Sequence, residues 1–311
     1  MELKIVNTKL AQFESTDGLL LPGLIFEPER KSNKVAIYLH GSGSSSVFYS
    51  WKRTESFAKY LNKNGIAFLA FNNRGAHYIK KLETNNESKK KEIKIGSALE
   101  LIKDCIKDID GAIKFLEKLG FKEFYLIGHS TGANKICVYN YYKPKNKVSK
   151  YVLLGGGDDA GISLDMVGGT KKLMRYLEQA KKQIEKGNGK KLVPKYIADC
   201  LLSYQTYYDI SNPDGDCNTF PFNEYINNLK LSRKPLFREY KSINKPTLVV
   251  YGEKDEYCYG DVRRIIDILK KEAPTPKLFE FKIIEGATHN FSGYEGQLAK
   301  LVALWLVKDP G

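Results

Sequence analysis

The chain has 311 residues, of which 42% are hydrophobic and 12% aromatic. This composition supplies enough apolar side chains for a large buried core and excludes a chain that is disordered throughout. The formal net charge is +14, yet only 8 of the 50 basic residues are arginine. Because arginine makes the bidentate contacts with phosphates and bases, the lysine excess argues against nucleic-acid binding. It favours a solvated lysine-rich surface, whose positive field draws anions in general and identifies no particular substrate.

The sequence also limits the location and the cofactors of the protein. It has no run of about 18 apolar residues, so no membrane span is predicted. Glu2, Lys4 and Lys9 interrupt the N-terminal segment, which therefore lacks the apolar region of a secretory signal, and a cytoplasmic location is expected. The five cysteines are widely spaced and form no C-x-x-C pair. We therefore expect no disulfide framework, no metal site and no cofactor.

Apolar periodicity and turn residues predict an alternation of strands and helices along the chain. A polar, lysine-rich segment at 72–94 interrupts it and is expected to be a loop. The predicted elements are, in chain order, strands 19–26 and 34–39, helix 55–64, strand 66–71, helix 99–119, strand 124–127, helix 131–142, strand 148–154, strand 247–251, helix 262–271, strand 278–284 and helix 296–307.

The alternation divides the chain into a core and an insertion. Repeated strand-helix units predict a mostly parallel sheet with helices on both faces, and ligands of such sheets bind beyond the C-terminal strand ends. Between 156 and 245 the alternation lapses into a mainly helical or irregular segment rich in tyrosine and asparagine. We interpret residues 1–155 and 246–311 as the two parts of one α/β core and residues 156–245 as an inserted cap.

The strongest local signal is a G-x-S-x-G motif at residues 128–132, between an apolar strand and a helix. In this context the serine sits on a sharp, strained turn, and the positions two before and two after it must be small. Gly128 and Gly132 satisfy that requirement, and Ser130 is the predicted nucleophile. The alternative is a tight turn in which Ser130 only caps the helix.

A serine hydroxyl needs a neighbouring base, which is usually a histidine held by a carboxylate. The chain has four histidines, His40, His77, His129 and His289. In hydrolases with a G-x-S-x-G motif the order is nucleophile, acid and then histidine, and only His289 follows Ser130 in a suitable position. It also comes directly after a predicted strand, which makes it the predicted general base.

The acid that orients the histidine is predicted to be Asp255. It follows the first strand after the insertion by a short turn, so its carboxylate projects beyond the strand end. Glu253 and Glu256 lie in the same turn and stay open as alternatives. Asp158 and Asp159, at the end of the preceding strand, are two further candidates.

Hydrolysis through a serine also needs backbone donors for the negatively charged oxygen of the tetrahedral intermediate. The loop 40–46 is rich in glycine and serine and directly follows a predicted strand. The predicted oxyanion donors are the N–H groups of Ser42 and of Thr131, the residue after the nucleophile. Gly41 or Gly43 takes the place of Ser42 if the register of the loop differs.

These motifs resemble the α/β-hydrolase superfamily, and the matching elements extend from about residue 19 to residue 307 apart from the insertion. The resemblance implies an eight-stranded sheet and a cap after the sixth strand. The sequence His40-Gly41-Ser42-Gly43 is similar to the short oxyanion loop of esterases and lipases. The Gly-His-Ser-Thr-Gly turn is similar to that of siderophore-esterase-like and other little-characterised esterases.

The predicted function is hydrolysis of a small-molecule carboxylic ester through an acyl-enzyme, with Ser130, His289 and Asp255 as the catalytic triad. We expect a small-molecule ester as substrate, no nucleic-acid partner and no membrane span. The same residues also serve acyltransferases, thioesterases and amidases, and these stay open as alternatives. A ligand-binding protein without catalysis is a third class, although it would need an incomplete triad.

Overall fold

The computed structural model of the protein describes residues 7–43, 45–84 and 91–308. The strands of this part are β1 (Thr8–Glu14), β2 (Leu20–Phe26), β3 (Lys34–Leu39), β4 (Ala67–Phe71), β5 (Lys80–Thr84), β6 (Lys91–Ile95), β7 (Glu123–His129), β8 (Val148–Leu154), β9 (Thr247–Lys254) and β10 (Phe279–Thr288). Its α-helices are α1 (Trp51–Lys63), α2 (Cys105–Lys118), α3 (Thr131–Tyr142), α4 (Asp159–Val167), α5 (Thr170–Glu185), α6 (Tyr204–Ser211), α7 (Phe222–Asn227), α8 (Val262–Glu272) and α9 (Glu295–Leu306).

Eight strands form one sheet in the order β1-β2-β4-β3-β7-β8-β9-β10. The pairs β1–β2 and β2–β4 are antiparallel, and all other neighbours in this sheet are parallel. Parallel neighbours need crossover connections, which α1, α2, α3 and α8 supply between successive strands. The predicted eight-stranded, mostly parallel sheet is therefore confirmed.

Helices cover both faces of the sheet because each presents one apolar side to it. On one face, Phe57 of α1 and Leu298 of α9 are buried in a shared apolar cluster. On the other face, Ile109 of α2, Ile136 of α3 and Leu269 of α8 are buried in a second cluster. Within the described residues no helix is long and apolar enough to cross a membrane.

The insertion lies between β8 and β9, the sixth and seventh strands of the main sheet along the chain, and contains α4 to α7. Leu164, Leu173 and Tyr207, from α4, α5 and α6, belong to an apolar cluster separate from the two sheet clusters. Phe220 and Phe222 instead belong to the cluster on one face of the sheet. The first part of the insertion thus has its own small core, whereas its second part packs onto the sheet.

The expectation that residues 72–94 form a loop is confirmed for residues 72–79 and is wrong for residues 80–84 and 91–94. β5 and β6 pair there as an antiparallel two-stranded sheet, with Leu82 opposite Ile93. Both apolar side chains pack against the core, while Lys81 and Glu92 are exposed and form an ion pair of 3.1 Å. The alternation of apolar and charged residues is that of a strand, but frequent lysines obscured it in so short a segment. Residues 85–90 of the predicted loop lie outside the described residues.

Candidate active site

The chain turns sharply at Ser130, between the end of β7 at His129 and the start of α3 at Thr131. Ser130 has φ 56° and ψ −129°, and such a conformation costs on the order of 1–3 kcal/mol. The turn leaves no room beside it, since a Cβ at Gly128 would lie 2.2 Å from the carbonyl oxygen of Gly132. The Ser130 side chain makes no capping hydrogen bond with α3 and contributes to the wall of a cavity. This arrangement differs from that of a helix-capping serine.

His289 and Asp255 are brought together by the ends of two neighbouring parallel strands. Asp255 directly follows β9, and His289 directly follows β10. Both side chains are buried, and the imidazole Nδ1 lies 2.9 Å from Oδ2 and 3.1 Å from Oδ1 of the carboxylate. Because a carboxylate only accepts hydrogen bonds, Nδ1 must carry a proton. In the neutral imidazole the lone pair is then on Nε2.

Ser130 and His289 line the same cavity, which has a volume of about 450 Å³. No hydrogen bond joins these two side chains within the part of the chain that the structure describes. In ligand-free enzymes such contacts are often long or poorly aligned, and they tighten when the substrate binds. The structure thus brings the three predicted residues to one site, and of their two expected contacts only the hydrogen bond between Asp255 and His289 is formed.

Asp158 and Asp159, which the sequence left open as acids, have other partners. Asp158 caps α4, and its Oδ1 accepts a hydrogen bond of 2.8 Å from the N–H of Gly161. Asp159 lines the cavity and accepts a hydrogen bond of 3.2 Å from Nδ2 of Asn134. Burial, together with the nearby carboxylate of Asp158, raises the pKa of Asp159 to about 7. Among the described residues, neither carboxylate contacts the His289 imidazole.

The two glutamates beside Asp255 hold the backbone of the histidine loop. Oε2 of Glu256 accepts a hydrogen bond of 3.1 Å from the N–H of His289. Oε2 of Glu253 accepts one of 2.9 Å from the N–H of Gly286. The turn after β9 therefore fixes both the side chain and the main chain of the histidine loop. From the sequence alone, these glutamates are only alternative candidates for the acid.

The two predicted oxyanion donors, Ser42 and Thr131, line the same cavity as Ser130. The loop that carries Ser42 comes very close to the turn, since a Cβ at Gly41 would lie 2.9 Å from Cβ and 3.3 Å from Oγ of Ser130. The N–H groups of Ser42 and Thr131 donate to no other described residue. Both are therefore available to an oxygen atom of a ligand. Ser44, which belongs to the same predicted loop, lies outside the described residues.

His129 and Arg53 support the site in a way that the sequence did not indicate. Nη1 of Arg53 lies 2.9 Å from Nδ1 of His129, and Nε2 of His129 lies 2.9 Å from the carbonyl oxygen of His289. Guanidinium only donates and a carbonyl only accepts, so the His129 proton must be on Nε2. Burial, and then the charge of Arg53, hold the pKa of His129 well below its usual value. His129 is thus a neutral link between α1 and the histidine loop.

His40 is a second buried histidine in the cavity wall. Its Nδ1 donates a hydrogen bond of 2.8 Å to the carbonyl oxygen of Gly41, which holds the start of the loop 40–46. Burial, followed by the charge of Lys135, lowers the pKa of His40 to about 3, so this ring is neutral at physiological pH. Within the described residues no three His, Cys, Asp or Glu side chains are grouped in a way that could hold a metal ion.

A family model described as "protein of unknown function (DUF1749)" matches residues 95–308, which is more than half of the chain. The chain belongs to this family. The matched region includes Ser130, Asp255 and His289, whereas the loop with Ser42 precedes it. A search of curated proteins finds no match to the sequence.

Solved esterase structures share the fold over nearly the whole chain. An esterase from Pyrococcus furiosus has 16% identity and a TM-score of 0.57, with 98% of this chain and 94% of that chain covered. Est1E from Butyrivibrio proteoclasticus has 13% identity and a TM-score of 0.58, with 96% and 97% covered. The naproxen esterase of Bacillus subtilis has 15% identity and a TM-score of 0.54, with 97% and 92% covered. At these identities the likeness establishes the α/β-hydrolase fold.

Proposed function

We propose that the protein is a serine hydrolase that cleaves a carboxylic ester of a small or medium-sized substrate through an acyl-enzyme. Ser130 is the nucleophile, His289 the general base and Asp255 the acid that orients it. The observation that carries this proposal is the buried contact of 2.9 Å between Asp255 and His289, beside the strained serine in one cavity. The esterase structures with the same fold add support.

In the first step, Ser130 Oγ attacks the ester carbonyl carbon while Nε2 of His289 accepts the hydroxyl proton. The tetrahedral intermediate collapses, and the same nitrogen gives the proton to the leaving alcohol. Water then enters, loses a proton to Nε2 of His289 and attacks the acyl carbon; the second tetrahedral intermediate releases the acid and Ser130 Oγ, which takes the proton back from His289. Asp255 keeps the imidazole in the required tautomer and stabilises its protonated form in both half-reactions.

The N–H groups of Ser42 and Thr131 are the proposed oxyanion donors. Donors of this kind accelerate the reaction because they are already oriented toward the position where negative charge develops. The close approach of Gly41 to Ser130 supports this assignment, since it places the loop beside the nucleophile. The N–H of Thr131 lies at the first position of α3, where the helix itself has no acceptor for it.

We retain the proposal that residues 156–245 form a cap between the core parts 1–155 and 246–311. The separate apolar cluster of α4, α5 and α6 supports an element with its own core. Ile162 of α4 and Cys200, from the segment before α6, both line the cavity that contains Ser130. The cap is therefore placed to contact a bound substrate.

The proposal is tested with p-nitrophenyl acetate, butyrate and octanoate. The wild-type protein should hydrolyse at least one of these esters with saturation kinetics, and Ser130→Ala should lower kcat by roughly 10⁴-fold or more. Ser149→Ala is the matched control, because Ser149 is an exposed serine on the neighbouring strand β8. It should retain wild-type activity.

Two results would contradict the proposal. The first is a wild-type protein that cleaves none of the esters. The second is a Ser130→Ala variant that is folded and as active as Ser149→Ala. Product analysis in the presence of competing alcohols and amines separates hydrolysis from acyl transfer, because a hydrolase yields mostly the free acid.

A further inference from the structure

Part of the wall of the cavity that contains Ser130 comes from the start of α1 and the residues before it. Ser46, Ser50, Arg53 and Thr54 line the cavity, and three of these four residues carry hydroxyl groups. Ser46, Arg53 and Thr54 are buried, whereas Ser50 is exposed. We call this part of the cavity, defined by these four residues, the α1 pocket.

Arg53 is a buried positive charge without a carboxylate partner. Its side chain is only about 9% exposed, and no Asp or Glu among the described residues forms an ion pair with it. The guanidinium donates to three neutral acceptors, which are the Tyr38 hydroxyl, Nδ1 of His129 and the carbonyl oxygen of Asn290. Its Nε has no hydrogen-bond partner. Burial of a charge is costly unless an opposite charge compensates it, so an anionic group bound beside Arg53 would offset this cost.

The N-terminus of α1 adds a second feature that favours an anion at the same place. The helix has 13 residues, its first turn contains no acidic residue, and Ser50 makes no capping hydrogen bond. The first N–H groups of a helix have no acceptor within the helix, and the helix dipole makes this end partly positive. Such ends bind carboxylate and phosphate groups. Arg53 belongs to this first turn.

The α1 pocket shares its cavity with His289 and Asn290. Arg53 donates to the carbonyl oxygen of Asn290, the residue directly after His289, and it contacts His289 indirectly through His129. In the proposed ester hydrolysis His289 gives its proton to the leaving alcohol, so this alcohol must lie next to the imidazole. A pocket beside His289 therefore receives the alcohol part of the ester.

We infer that the α1 pocket binds an anionic group, a carboxylate or a phosphate, on the alcohol part of the substrate. Arg53 and the free N–H groups of the first turn of α1 are the recognition groups. The substrate class is thus an ester of a hydroxy acid or of an alcohol phosphate. The inference rests on the proposed ester hydrolysis, and the net charge of +14 would draw such substrates toward the protein.

Matched esters test this inference. The rates of 4-butyryloxybenzoate and 4-butyryloxybenzamide are compared, since these esters share the acyl group and differ mainly in the charge of the alcohol part. The wild-type kcat/KM should be about 10- to 100-fold higher for the carboxylate, the range expected of a charge-assisted hydrogen bond. A third ester, 4-butyryloxyphenyl phosphate, tells whether carboxylate or phosphate is preferred. Equal rates for the charged and neutral esters would overturn the inference and leave the ester hydrolase intact.

Variants separate recognition by Arg53 from its support of the histidine loop. Arg53→Met should bring the ratio of charged to neutral ester close to one, whereas Arg53→Lys should retain most of the preference. A purely structural role would lower both rates and leave their ratio unchanged. Lys52→Met is the matched control, because Lys52 is exposed on the same turn and does not line the cavity. It should keep the wild-type ratio.

A binding measurement works even if neither ester is cleaved. The product 4-hydroxybenzoate should raise the melting temperature of the Ser130→Ala variant more than 4-hydroxybenzamide does. The difference should disappear when Arg53→Met is added. If the two compounds stabilise the protein equally, the inference is wrong. If 4-hydroxybenzoate stabilises the protein more but neither these esters nor the p-nitrophenyl esters are cleaved, the proposed function is wrong and the anion site stands.

Discussion

The substitution Asp255→Asn tests the triad with a change of one atom. Oδ1 of Asp255 accepts a hydrogen bond of 3.0 Å from the N–H of Tyr257, and Oδ2 lies 2.9 Å from Nδ1 of His289. In the asparagine variant the amide oxygen is needed at the position of Oδ1, because an NH₂ group there would face the N–H of Tyr257. The NH₂ group then occupies the position of Oδ2 and donates to the imidazole.

This exchange forces the wrong tautomer on His289. Nδ1 becomes the acceptor, so Nε2 carries the proton and cannot take one from Ser130. We expect kcat to fall by roughly 10³- to 10⁴-fold, which corresponds to about 4–5.5 kcal/mol of transition-state stabilisation. KM should change by less than about threefold, because the carboxylate lies behind the imidazole and does not line the cavity.

The assay is steady-state hydrolysis of p-nitrophenyl butyrate, with the melting temperature measured alongside. Asp158→Asn is the control, because Asp158 caps α4 and has no contact with His289. It should keep kcat within about tenfold of the wild type. The reasoning is refuted if folded Asp255→Asn retains more than about a tenth of the wild-type kcat. A larger loss in Asp158→Asn or Asp159→Asn would move the acid to that position.

Three further predictions follow from the geometry. Gly41→Ala should lower both kcat, about 10- to 100-fold, and the melting temperature, because the new Cβ would lie 2.9 Å from Cβ and 3.3 Å from Oγ of Ser130 and the loop or the turn must shift; an unchanged kcat would mean that the loop has room. Glu256→Gln should lower kcat less than tenfold, since the glutamine side chain can still accept the hydrogen bond from the N–H of His289. Glu256→Ala should lower kcat further, because this acceptor is lost. Equal kcat values in the two variants would refute the role of Glu256 in holding the histidine loop. The raised pKa of Asp159, about 7, means that the folded protein keeps a proton which the unfolded chain releases near pH 4, so this group destabilises the fold increasingly as pH rises from about 4 to about 7 and by a constant amount above that. Asp159→Asn should therefore stabilise the protein by roughly 4 kcal/mol at pH 8 and by about 1 kcal/mol at pH 4.5 in chemical denaturation, and a larger gain at the lower pH would contradict the assignment.

The sequence predicted most of the fold because local patterns determine it. Strands such as β8 and β9 are short apolar runs, and the residues that follow them differ in chemical character from the strand itself. In a parallel sheet the C-terminal ends of the strands lie at one edge. Ser130, Asp255 and His289 each follow directly after a strand. Their proximity therefore followed from their positions in the alternation.

Contacts between residues distant in the chain could not be predicted in this way. Arg53 lies 76 residues before His129, and nothing in the spacing of α1 indicates that its guanidinium supports a histidine loop. The roles of Glu253 and Glu256 depend on where their carboxylates point, which residue order does not determine. The small sheet of β5 and β6 was missed because charged residues outnumber apolar ones in it.

The central claim is that Ser130 forms the covalent intermediate, and its most direct test is covalent labelling. The wild-type protein is incubated with a fluorophosphonate, and the modified site is located by peptide mass spectrometry. The account predicts one adduct per chain, on the peptide that contains Ser130, and none in Asp255→Asn over the same short incubation. An adduct on a different residue, or no adduct in a protein that hydrolyses esters, would contradict it.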